Sequence, residues 1–250
     1  MDVSILINNL KKSFKSSRKR QIVLDGLTLS VPEGEIFGFI GPNGAGKSTT
    51  IKLLLDFIRP DSGTIHIMGL MVGKQEFRHL IGYLPETPCF YDNLTAEETL
   101  EFAARIMKIS HSQLKARVQD SLTLVELEEA AKRPVGTYSK GMKQRLGLAM
   151  AMIHDPQILI LDEPMAGLDP LGRHLAKEFI LLQKKNGKTV FFSSHILEDV
   201  AGLCDRIAIL HRGHLLYEGS VDTFKGDSDL ETAFIKALNE WDNGHSTESL

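Results

Sequence analysis

Residues 41–49 read Gly-Pro-Asn-Gly-Ala-Gly-Lys-Ser-Thr, directly behind the uninterrupted apolar run Ile36 to Ile40. No other stretch narrows the fold as far. Five apolar residues in a row predict a strand buried on both faces, the kind found in a parallel sheet covered by helices. Gly41, Gly44 and Gly46 permit a loop with its N–H groups turned inward, and a helical pattern from 47 to about 57 follows. Inward N–H groups and a helix N-terminus together attract an anion. The spacing G-x-x-x-x-G-K-[ST] is complete here, from Gly41 through Pro42, Asn43, Gly44, Ala45 and Gly46 to Lys47, Ser48 and Thr49, and it specifies phosphate. Lys47 is placed to reach β- and γ-phosphates, and Ser48 to ligate Mg²⁺. The strand before and the helix after distinguish this match from a chance one.

A second apolar run, 158–161, ends in Asp162-Glu163-Pro164. It predicts a central strand with Asp162 at the C-terminal end, where open α/β sheets bind ligands. Asp162 can hold Mg²⁺ through water, and Glu163 can polarise an attacking water. Two acids after a strand are otherwise common as a helix cap. Together with the loop at 41–49 they favour a nucleotide.

Between and around these motifs the pattern alternates. Strands are expected at 3–10, 27–31, 64–68, 81–84, 157–161, 188–193, 206–210 and 214–217. From Thr95 the character becomes helical: Thr95-Ala96-Glu97-Glu98 is a capping box, and Leu100, Ala103, Ala104 and Met107 recur at helical spacing. Further helices are expected at 111–122, 139–154 and 170–185. This layout gives an α/β domain over 1–225, with a core at 1–86 and 155–225 and a helical insert at 87–154. A C-terminal helix and a tail frayed beyond Trp241 take up 226–250.

The charge balance excludes several classes. The chain has 250 residues, 29 basic and 32 acidic, for a net charge of −3, so no global basic field suggests nucleic acid. Two cysteines, Cys89 and Cys204, form neither a metal-ligand spacing nor a disulfide framework. No segment approaches the ~20 apolar residues that span a bilayer, and the N-terminus lacks the pattern of a secretory signal. Lys11 to Arg20 is basic and contains serine but no acid, as in a transit peptide. A solvated hairpin fits those residues better.

With these residues in place, the chain resembles the ATP-binding cassette of ABC transporters over nearly its whole length. The distinguishing piece is Tyr138-Ser139-Lys140-Gly141-Met142-Lys143-Gln144-Arg145, which is similar to the family signature LSGGQ. Ser139 and Gly141 match; Tyr138, Lys140 and Met142 depart from it. Ser139 can cap the helix that follows, and in the family this motif completes the ATP site of the opposite subunit. The resemblance implies further roles: Asp169, in Gly167-Leu168-Asp169, in the loop linking two ATP sites; His195 as the switch histidine at the γ-phosphate; Phe14 stacking on adenine. Glu86, in Gly82-Tyr83-Leu84-Pro85-Glu86, stands where the family usually has Gln, near Mg²⁺ and at the start of the segment that meets the membrane partner. Glutamate there, and the wording Lys140 to Arg145, resemble the export-type group.

The resemblance therefore implies a P-loop NTPase (RecA-like) core with a mainly parallel sheet, an N-terminal antiparallel β subdomain and an inserted α-helical subdomain. It implies ATP and Mg²⁺ as ligands and catalysis by Lys47, Glu163 and His195. The expected metal contacts are Ser48, Glu86 and Asp162. The implied partners are a separately encoded integral-membrane permease and a second, identical ATPase subunit, with no nucleic acid, at the cytoplasmic face of the cell membrane. One rival is a non-transport ABC ATPase acting on DNA or ribosomes. The DNA-repair members have a long coiled coil where this chain has a compact insert, and the translation type carries two cassettes. A P-loop kinase or GTPase is the other rival, but no N-K-x-D guanine-reading motif is present.

Overall fold

The first strands outrun their apolar cores. In the computed structural model, which describes residues 2–16, 19–74 and 76–245, β1 is Val3–Ser16 and β2 is Lys19–Pro32. They pair antiparallel with Ile5 opposite Val31 and Phe14 opposite Gln21. The basic residues expected in a solvated hairpin thus lie largely on paired strands, and acids hold several of them. Lys11 pairs with Asp25 at 2.7 Å, and Arg20 with Asp61 at 2.8 Å. Arg18 lies outside the described residues, as does the tail from 246 on.

The remaining elements, in chain order, are β3 (Ile36–Ile40), α1 (Lys47–Leu54), β4 (Ser62–Ile67), β5 (Leu70–Met71), β6 (Ile81–Leu84), α2 (Ala96–Ile106), α3 (His111–Leu124), α4 (Lys140–Met152) and β7 (Ile158–Asp162). After these come α5 (Pro170–Lys185), β8 (Thr189–Ser194), α6 (Leu197–Ala201), β9 (Arg206–His211), β10 (His214–Ser220), α7 (Val221–Lys225) and α8 (Leu230–His245). They fall into two units, one made of residues up to Glu76 and from Phe191 on, the other of Phe77–Val190.

In the first unit, β1 also pairs antiparallel with β4, and β4 with β5. Ile5, Ile7, Leu29, Val31 and Ile67 are buried along this sheet. β3 is buried at every position and pairs in parallel with β9, Ile40 opposite Ile209. Phe37 stacks on Phe191 with ring centroids 5.9 Å apart. α1 stops at Leu54, short of the expected 57, because Asp56 turns left-handed (φ 57°) and the Phe57 N–H returns to the Lys52 carbonyl. α8 passes Trp241 and continues to His245.

The second unit holds the parallel pair β6 and β7, Leu84 opposite Leu161, with α2, α3, α4 and α5. The Thr95 capping box forms in both directions: the Glu98 N–H donates to Thr95 Oγ1 at 3.1 Å, and the Thr95 N–H to Glu98 at 2.8 Å. The Thr95 N–H and then the Thr95 hydroxyl, both donating to the carboxylate, hold Glu98 below its usual range. α4 fits tightly on β6, since a side chain at Gly82 would strike the Ala151 carbonyl. Arg145 of α4 donates to the carbonyls of Val125 and Glu126, both at 2.9 Å, just past the C-terminal end of α3.

Candidate nucleotide site

In the first unit, the loop after β3 is shaped by close approach and by glycine. A Cβ on Gly41 would run into the Leu210 carbonyl oxygen. Gly46, at φ 115°, would put one 2.9 Å from Leu24 Cδ2 and 3.0 Å from the Val23 carbonyl oxygen. Across the loop, Ala45 N–H donates to Pro42 O at 3.2 Å. Lys47 is buried, and its ammonium donates to Gly41 O at 2.6 Å and Pro42 O at 3.4 Å. The lysine therefore folds back across its own loop. α1 starts at Lys47 with Gly46 as its cap residue and no side-chain cap bond, which leaves its first-turn amides uncovered by any cap side chain. Ser48 is exposed at this end. Amides, a helix N-terminus and a cation in one small loop make a phosphate cradle.

His195 and Phe14 also belong to this unit. His195 is exposed directly after β8. Phe14 is 44% exposed, with Lys12 Nζ 5.2 Å from the ring centroid. An exposed ring on a strand has a free face for a base to stack on. Asp61 fixes this strand by accepting from the Ser13 N–H at 2.9 Å and from Arg20.

In the second unit, β7 is buried throughout and delivers Asp162, only 7% exposed, followed by Glu163 at 9%. Neither caps a helix: the next one, α5, begins at Pro170 and is capped by Asp169, which accepts from the Gly172 N–H at 2.8 Å. Glu163 has a left-handed backbone, φ 49°. For a residue with a Cβ this is a strained state that surrounding structure must hold in place. Part of that hold comes from Gln144 of α4, whose Nε2 donates to the Pro164 carbonyl at 3.0 Å. Tyr83 on β6 is pushed up to about 12, first by burial and then by the Asp162 charge. A buried carboxylate at the end of a strand suits a divalent cation. No group of three or more His, Cys, Asp or Glu that could hold a metal occurs among the described residues. One or two carboxylates with phosphate and water oxygens are what Mg²⁺ usually takes, so the residues fit it. Glu86 is exposed in the bend after β6.

The signature-like segment is in this unit too. Ser139 caps α4, its Oγ accepting from the Met142 N–H at 3.2 Å. The departure at Tyr138 has a structural reason: the ring is buried and its hydroxyl donates to the Ala130 carbonyl at 2.7 Å. Lys140 also has one. A side chain at Gly167 (φ 65°) would collide with its ammonium, so Lys140 lies on the loop that leads to Asp169. Sequence reasoning gave no role to Tyr83 or to the Lys140–Gly167 contact. Both depend on pairings between distant segments that no local spacing reveals.

Comparison with known proteins gives consistent results. A family model described as ABC transporter matches residues 24–166. An uncharacterized ABC transporter ATP-binding protein of Nostoc sp. is 44% identical over 95% of this chain and 72% of its own length. The bacitracin transport ATP-binding protein of Bacillus licheniformis is 42% identical over 90% of this chain and 72% of its own. A solved ATP-binding subunit of an ABC transporter superposes with a TM-score of 0.84 at 33% identity, covering 94% of this chain and 99% of that one.

Proposed function

The chain belongs to the ABC transporter family, and from that premise we propose that it drives export through a separately encoded membrane permease. It is an ATP-binding and ATP-hydrolysing subunit with a P-loop NTPase fold. The relative from Bacillus licheniformis, named for bacitracin transport, supports a transport role for this chain. Among the described residues no helix is long and apolar enough to cross a membrane. In this reading a permease supplies the span, and the subunit works at the cytoplasmic face of the membrane as a dimer of two copies.

The observation that carries the site assignment is the cradle at 41–49, with the Lys47 ammonium folded over loop carbonyls. In the proposed mechanism the amides of Gly44 to Thr49 and Lys47 hold the β- and γ-phosphates. Phe14 stacks on adenine. Ser48, Asp162 and Glu86 are the residues that would hold Mg²⁺, and the ion would neutralise charge on the phosphate oxygens. Glu163 orients the attacking water and accepts its proton. His195 contacts the γ-phosphate as it leaves. Ser139, Gly141 and the α4 N-terminus serve the ATP of the opposite subunit, and Asp169 links the two sites. These terms are positioning and charge stabilisation, with no covalent intermediate.

Glu163→Gln tests this directly. It keeps the shape and loses the basic oxygen, so hydrolysis falls about 100-fold or more while ATP binding persists. Labelled ATP should then stay with a species twice the size on a sizing column. Hydrolysis within a few-fold of wild type removes Glu163 from the catalytic role. Chelation with EDTA should stop turnover in the wild type, and added Mg²⁺ restore it. Purification of the tagged chain from membranes, with identification of what comes with it, tests the permease.

A further inference from the structure

The phosphate cradle rests on the turn between β9 and β10. Gly213 N–H donates to Ala45 O at 3.0 Å, and the Leu210 carbonyl occupies the space that a side chain at Gly41 would need. The turn itself is tight, with Arg212 (φ 47°) and Gly213 (φ 84°) both left-handed. Its other side is fixed by the Asp25 N–H, which donates to Gly213 O at 3.1 Å. A displacement of this turn therefore reaches Gly41 and Ala45 directly.

The last helix grips the same turn. Asp242 of α8 accepts from His211 Nε2 at 3.0 Å and pairs with Arg212 at 3.1 Å. Trp241, the single tryptophan of the chain, stands edge-on to His211 at 5.1 Å and lies 5.6 Å from His214. The Arg212 guanidinium lies 5.7 Å from its ring centroid, and His245 stacks on the ring at 4.1 Å. His211 is buried and its Nδ1 has no hydrogen-bond partner, so the bond from Nε2 to Asp242 is what orients the ring. That bond and Arg212 keep the Asp242 carboxyl below its usual range. α8 packs against α6 as well, the short helix that follows His195. One helix thus braces both segments of this unit to which phosphate contacts are assigned.

We propose that α8 is a positioning clamp for nucleotide binding: Trp241 and Asp242 hold the 211–214 turn, and the turn holds Gly41 and Ala45 in the spacing that a nucleoside triphosphate requires. Both are positioning residues, and the inference rests on the reading of 41–49 as the ATP contact. Cells can use such a clamp, because anything that lifts α8 loosens ATP without touching the loop.

The test is steady-state MgATP hydrolysis by the full chain carrying Asp242→Ala, Asp242→Asn, Trp241→Ala or Lys47→Ala, beside wild type. Asp242→Ala and Trp241→Ala should raise KM about 3- to 10-fold with kcat within about twofold. Asp242→Asn still offers His211 an acceptor oxygen and should stay near wild type. A merely structural helix would instead lower the melting midpoint and leave KM unmoved. If Trp241→Ala fails to fold, the Asp242 pair, at a surface position, decides the matter. An unchanged KM in Asp242→Ala, with ATP lost in Lys47→Ala, overturns the clamp and leaves the loop assignment standing. Wild-type KM and turnover in Lys47→Ala overturns the loop assignment, and the clamp with it.

Discussion

Glu163 combines two costs: a left-handed backbone (φ 49°) and burial of an acidic residue that is only 9% exposed. A left-handed non-glycine residue costs about 1–2 kcal/mol. Such strain at the end of the Asp162 strand is expected where activity outweighs stability. Glu163→Gly should therefore match or exceed the wild-type melting midpoint in the absence of nucleotide while hydrolysing ATP about 100-fold more slowly or worse. Paired melting and phosphate-release assays check this, and a large drop in melting midpoint would show the strain to be relieved elsewhere. Asp61 works in the opposite sense. Hydrogen bonds from Ser13 and then Arg20 lower its carboxyl from 3.8 to about 2. Its contribution to stability is thus present above the unfolded value and disappears as pH falls toward the folded one. The melting gap between wild type and Asp61→Asn should be full at neutral pH and close between about pH 4 and pH 2. A gap that is flat across that window would dismiss the ionised carboxylate as the cause.

At the level of elements, the readable parts were those set by local chemistry. The bounds of α5 follow from Pro170 after the Asp169 cap, those of β6 from an apolar run, and the start of α2 from the Thr95 capping box. The buried strands β3 and β7, with the loop and acids at their ends, carry the candidate site and were equally plain. The unread parts depend on distant partners. Lys11 to Ser16 is too polar to look like a strand until Asp25 and Asp61 are seen beside it. The contact of Trp241 with His211 and His214 joins the last helix to a distant turn and has no local signal; only His245, on the same helix, lies at helical spacing. Ser139 belongs to both categories, since its role as a cap was legible and is observed, whereas its role toward phosphate is an assignment. The two can be separated. Ser139→Ala should cost ~1 kcal/mol of stability through the lost cap. Ser139→Asp keeps a capping oxygen and should restore that stability, but it sets a negative charge toward phosphate and should still abolish hydrolysis. Full activity in Ser139→Asp would reduce Ser139 to a cap.

For the whole molecule, the proposed dimer makes a test available that no single chain offers. Two chains, one with Lys47→Ala and the other with Ser139→Arg, each lack one contribution to every site when alone. Mixed in a Glu163→Gln background, they should trap about one labelled ATP per dimer, because one composite site then has both contributions intact. A mixture no better than its parents counts against shared sites. Chain order adds a consequence for biosynthesis. The second unit is one continuous stretch, Phe77–Val190, whereas the first is divided around it. On a ribosome, then, the continuous unit can finish folding while β3, apolar at almost every position, still awaits its parallel partner β9. The two strands begin about 170 residues apart, a delay of roughly 10–30 s at ordinary synthesis rates. For that interval a fully buried, apolar strand is without this partner, and the nascent protein should depend on chaperones more than its final stability suggests.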